Sequence, residues 1–147
     1  MKKKLKETMK VLFKYICLFL IGGSIYYGIE VLFRGYSYIA MACCGGMLFV
    51  LIGEFNEIYS WDTPFWKQML FGSMATTAVE FLLGYLLLIL GNPMWDYSSM
   101  PFNIMGIICL PFTIAWFLLS AVGIILDDYI RYWFFHEEKP KYNFKFK

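Results

Sequence analysis

The sequence predicts an all-α integral membrane protein, a bundle of four transmembrane helices with an ordered outer loop before the fourth. Three observations carry this. Of 147 residues, 60% are hydrophobic and 21% aromatic, and mean hydropathy is +0.58. A soluble domain of this length could not hide so much apolar surface, so lipid must cover part of it. The apolar residues fall in four runs, each long enough to cross a hydrocarbon core of about 30 Å at about 1.5 Å per residue. Between the third and fourth runs lies Trp95–Phe112, WDYSSMPFNIMGIICLPF. Its two prolines, Asp96, Asn103 and paired serines exceed what a plain turn between helices needs.

Taken in order, residues 1–10 form a basic cytoplasmic tail carrying Lys2, Lys3, Lys4, Lys6 and Lys10. The transmembrane domain, 11–126, follows. Its first span is 11–33, with Lys14 near the start, where it can reach the headgroups. A cleaved signal peptide is the rival reading, but no soluble mature domain follows and the run is long enough to span. Arg34-Gly35 makes a very short link to the second span, 36–59. A turn with Trp61, Asp62 and Pro64 leads to the third span, 66–90, which Gly91-Asn92-Pro93 should stop. Pro101 suits the first turn of the fourth span, 102–126, with Ser98 or Ser99 as N-cap. Pro111 would then lie inside that helix and kink it. Residues 127–147 form a cytoplasmic C-terminal tail, amphipathic and then polar.

Lysine and arginine placement sets the orientation. With the N-terminus inside, the cytoplasmic parts hold the N-terminal lysines, Lys67, Arg131, Lys139, Lys141, Lys145 and Lys147, and the outer loops hold only Arg34. Both termini are then cytoplasmic. Aromatics flank the spans as an interfacial belt should, except Trp116, which falls in mid-span.

The net charge of +2, with bases gathered at the two ends, gives no face for nucleic acid. Cys17, Cys43, Cys44 and Cys109 all lie in apolar sequence and read as packing thiols. With one histidine, His136, in the tail and no Cys-x-x-Cys, neither a metal site nor any cofactor is expected.

Polar residues within the spans fall on helical stripes: Gly23, Tyr27 and Glu30; Ala42, Gly46, Gly53 and Glu57; Ser73, Thr77, Glu80 and Gly84; Gly106, Thr113, Ser120 and Asp127. Small and hydroxyl residues at such spacings support close helix contact in lipid. Topology sorts the charged groups by depth. Glu30, Arg34, Glu80, Asp96 and Asn103 gather on the outer side, beneath the Trp95–Phe112 loop, as a candidate ligand site. Three acids against one base leave charge to be met by a cation, a polar ligand or protonation. Glu80 could instead hold the loop by accepting hydrogen bonds from it. Glu54, Asn56, Glu57, Asp127, Asp128 and Arg131 gather on the inner side. That group reads as solvated and structural, with Asp127–Arg131 an ordinary i, i+4 pair worth about 0.5 kcal/mol or less.

Trp95-Asp96-Tyr97-Ser98, then Pro101-Phe102-Asn103, Gly106 and Ile108-Cys109-Leu110-Pro111-Phe112, preceded by Val79-Glu80-Phe81 and Gly84, carry a resemblance. The run resembles the small bacterial membrane proteins of the Putative ABC-transporter type IV family. The likeness spans about residues 20 to 126 and is strongest around the loop. Glu30 looks like the family's first-helix acid. The chain departs from the pattern in its short Arg34–Tyr36 link and in Ile107, where an arginine often stands. The resemblance implies a permease-like transport component of a bacterial plasma membrane.

No Gly-x-x-x-x-Gly-Lys-Ser/Thr run is present, so the ATPase would be a separate subunit. Four spans are few for a transport path, and a homo-oligomer or that partner would complete it. In this reading Glu80 and Asp96 contact the solute, with Asn103 orienting it. Trp95, Tyr97, Ser98, Pro101 and Pro111 shape the loop. Two alternatives stand beside it: an intramembrane enzyme on a lipid-linked substrate, with Glu80 as general base, and an accessory or assembly factor docking through its tails.

Overall fold

A computed structural model describes residues 1–146. Lys147, one of the lysines counted for orientation, lies outside the described residues. The ordered elements are helices: α1 (Lys2–Arg34), α2 (Ile39–Gly53), α3 (Phe55–Ile58), α4 (Phe65–Ile89) and α5 (Leu110–Phe135). Among the described residues there is no strand beyond isolated bridges at Pro64–Asn143 and Ile104–Ile108. With α2 and α3 taken as one run, Ile39–Ile58, 4 helices are long and apolar enough to cross a membrane. They belong to two compact units, Met1–Ser60 with Ile125–Lys141, and Trp61–Ile124 with the residues from Tyr142.

In the first unit α1 takes in the lysine-rich start, which the sequence suggested as a tail. Lysine, leucine, methionine and glutamate all favour helix, and nothing in Met1–Lys10 breaks one. These ten positions are exposed. Gly35 ends α1 in the left-handed region (φ 81°) and its N–H bonds the Val31 carbonyl, the cap that glycine supplies at least cost. After this tight reversal α2 packs on α1 almost backbone to backbone. A Cβ built on Gly23 would lie 2.6 Å from the Ala42 carbonyl oxygen, and one on Gly46 would lie 2.6 Å from that of Phe19. The stripes through Gly23 and Gly46 are therefore contact faces. Tyr27 is not part of one, being exposed. Its neighbour Tyr26 lies against Gly45. The expected second span is interrupted at Glu54, which keeps helical dihedrals (φ −67°, ψ −16°) and lets α3 continue the run.

In the second unit α4 begins directly after Pro64. Its first N–H, from Phe65, is met from far along the chain by the Asn143 carbonyl at 2.7 Å. Asn143 also donates through Nδ2 to the Asp62 carbonyl at 2.8 Å, and Phe65 packs edge-on against Tyr142 and Phe144. The tail is thus fastened to the start of α4. The stop after α4 falls where the sequence puts it, with Gly91 at φ 73°.

The fourth span differs from expectation. α5 starts at Leu110, because Phe102, Met105 and Gly106 all have positive φ and no α-helix can pass through them. Pro101 sits in a turn. Pro111 falls in the first turn of α5, where its missing N–H removes no hydrogen bond, so no kink is needed. The helix then runs on to Phe135.

The α1–α2 approach yields a stability test. Gly46→Val should destabilise the purified protein by about 1–3 kcal/mol through overpacking, read as a lower unfolding midpoint in detergent. Gly28, with nothing within 4 Å of a built Cβ, should accept alanine without loss.

Candidate functional site

The loop between α4 and α5 is built from its own side chains. Asp96 Oδ1 accepts the Ser98 N–H at 2.9 Å. That backbone amide, with help from the Ser98 hydroxyl, holds the Asp96 carboxyl below its usual range. Asn103 is an internal strut. Its Nδ2 donates to the carbonyls of Ser98 (3.2 Å) and Met100 (2.9 Å), and its Oδ1 accepts the Gly106 N–H at 3.1 Å. The Tyr97 N–H bonds the Gly106 carbonyl at 2.8 Å. Trp95 Nε1 donates to the Ile107 carbonyl at 2.9 Å. Gly106 is required twice over: its φ is 69°, and a Cβ there would stand 2.9 Å from Asp96 Oδ1.

Glu80 ties this loop to the helices. It is buried on α4. Its Oε1 accepts from the Tyr97 hydroxyl at 3.0 Å and its Oε2 from Trp116 Nε1 at 3.1 Å. The Tyr97 ring stacks on Phe112 of α5, centroids 4.6 Å apart. Trp116, out of place as a belt residue, is therefore a hydrogen-bond donor to a buried acid. Lower down, Ser73 Oγ donates to the Thr113 carbonyl at 2.7 Å. One carboxylate oxygen of Glu80 is engaged by the loop and the other by α5, and Asp96 is the exposed acid of the loop.

A cavity of about 190 Å³ lies beside Asp96, lined by the end of α4 and by loop residues 93–96 and 105–107. The absent side chain of Gly84 lets the loop come down on the helix. A Cβ there would meet Ile107, and would lie 2.8 Å from Trp95 Cζ2. No Lys, Arg or His occurs between Lys67 and Arg131.

The other two candidate residues pair with each other in the first unit. Glu30 forms an i, i+4 ion pair with Arg34 and accepts from the Tyr26 hydroxyl at 2.7 Å. The Arg34 guanidinium lies 4.8 Å from the Tyr36 ring centroid.

Of the inner group read as solvated, Glu57 is exposed and Glu54 half-buried, but Asn56, Asp127, Asp128 and Arg131 are buried. Arg131 is 1% exposed and Asp127 0%. Arg131 Nε donates to Asp127 Oδ2 and its terminal nitrogen to Glu54 Oε1, both at 2.8 Å. Glu57 and Glu137 stand 3.7 and 3.9 Å away, and the Tyr15 ring centroid 5.6 Å. Asn56 Nδ2 donates to Asp128 at 2.7 Å, and Lys14 pairs with Glu137. The carboxyl of Asp127 occupies the space that a side chain on Gly53 would fill. The value of about 0.5 kcal/mol belongs to an exposed pair and does not apply to a guanidinium withdrawn from water among acids. The available signal was charge scarcity: Arg131 is the only Lys or Arg between Lys67 and Lys139. Among the described residues no three His, Cys, Asp or Glu side chains are grouped so as to hold a metal ion, and the four cysteines are free thiols.

Residues 14–142 match the family described as Putative ABC-transporter type IV. The chain belongs to this family. The match is wider than the run that first carries the resemblance, and takes in Lys14, the Arg131 group and all of the loop. Comparison with curated proteins and with solved structures gives no match. Family membership and the four apolar helices make this a membrane protein of a transporter-type family.

Two measurements check the loop. Glu80→Gln can keep both bonds, because an amide accepts from Trp116 and donates to the Tyr97 oxygen. Glu80→Leu strands two donors and should cost about 1–3 kcal/mol by thermal unfolding. The depressed Asp96 carboxyl contributes stability above its unfolded value of about 3.9 and loses it as pH falls through the lower folded value. Melting temperature should therefore drop more steeply below about pH 4 in the wild type than in Asp96→Asn.

Proposed function

We propose that the protein is a permease-like component of a transport system in a bacterial plasma membrane. The loop faces outward, both termini are cytoplasmic, and an acidic pocket at the loop receives a cation or polar solute. The observation that carries this reading is an exposed Asp96, its carboxyl held by the Ser98 amide and kept below its usual range, on the wall of a cavity in a stretch of chain without Lys, Arg or His. Glu80, through Tyr97, fixes the loop that presents it. Asn103 sets the loop's shape, and Glu30 and Arg34 pair with each other in the first unit. The family description supports the transport class, in which a separate ATPase subunit or a homo-oligomer would complete the path.

The enzyme alternative has less support, because the carboxyl it would use as a base is bonded at both oxygens by Tyr97 and Trp116. The accessory alternative relied partly on a tail available for docking. Asn143 and its neighbours are instead fastened to the start of α4.

Native mass spectrometry of the tagged protein, extracted gently from its own membrane, tests the proposal. A complex with a nucleotide-binding subunit, or a closed homo-oligomer, is expected. A bare monomer at all detergent concentrations would overturn it.

A further inference from the structure

The cavity under the loop has a composition that selects among solutes. Its apolar wall comes from Leu88 of α4 and from Trp95, Met105 and Ile107 of the loop, and among the described residues the only ionisable group on it is Asp96. The Trp95 indole is fixed by its bond to the Ile107 carbonyl. The Asp96 carboxylate is fixed by the Ser98 amide. An aromatic face and thioethers attract a soft, weakly hydrated cation, and a carboxylate adds the opposite charge. Such a wall offers little to a hydrated metal ion, which needs several oxygen ligands. No metal-holding group of His, Cys, Asp or Glu exists among the described residues. An apolar cavity of about 150 Å³ accommodates benzene. The cavity of about 190 Å³ here therefore takes a molecule of about six to nine non-hydrogen atoms.

We infer that this cavity binds a small organic cation, an alkylated ammonium compound of about choline's size, with its charge at Asp96 and its apolar body against Trp95 and Met105. The inference rests on the proposed transport reading and narrows its solute class.

The test uses the whole protein in detergent and isothermal titration with choline and with 3,3-dimethyl-1-butanol, its uncharged isostere. Choline should bind at least about tenfold more tightly than the alcohol. Asp96→Asn, which keeps an acceptor for the Ser98 amide while removing the charge, should abolish that difference. Glu7→Gln, on the exposed start of α1, should leave it intact. Equal affinity for the two compounds would overturn the inference, since the cavity would then be merely apolar. So would full displacement of choline by equimolar sodium or potassium, or no heat with either compound. The comparison of two ligands on the unaltered protein stands even if Asp96→Asn fails to fold. A transport complex without choline binding would refute only the solute class. Choline binding by a bare monomer would refute only the transport assembly.

Discussion

Buried polar groups have no water to fall back on, and the structure is organised by how this chain answers them. Each costs several kcal/mol if left without a partner in an apolar surrounding. Glu80 is answered by Tyr97 and Trp116. That one carboxyl decides where the α4–α5 loop sits, and through the loop where Asp96 is presented. Arg131 is answered by Asp127 and Glu54, and this decides how the end of α5 joins α1 and the α2–α3 run. Apolar packing in the remaining faces is permissive by comparison. Many of the large hydrophobic side chains are exposed on the isolated chain, as lipid-facing surfaces are.

Much of this was legible in the sequence because the signals are strong and local. Apolar run length gave the four crossing helices. Gly91-Asn92-Pro93 gave the end of α4. Small residues at Gly23 and Gly46 gave the face on which α1 and α2 meet. The loop declared itself by holding Asp96, Asn103 and two prolines where a turn needs none of them.

What was not legible depended on conformation or on distant partners. Pro101 and Pro111 are both compatible with a helix start, and only the left-handed Phe102 and Met105 exclude the earlier one. Non-glycine residues carry no clear mark of that conformation. The Arg131 group was misjudged because depth was read from position along a span. Burial there comes from other segments closing over it, including Gly53, whose missing side chain makes room for Asp127. Glu80 and Asp96 looked alike as acids near one loop. Their roles diverge through the donors each meets: two side chains for one, a backbone amide for the other.

The bond from Phe65 to Asn143 bears on the order in which the molecule is made. The first turn of α4 waits for a carbonyl that emerges from the ribosome only after α5 has been synthesised. During insertion that helix start stands open, its leading amide served by water or headgroups. Closure of the second unit at this point thus comes after α5 has left the ribosome, because the bond joins the start of α4 to a residue that follows α5 in the chain.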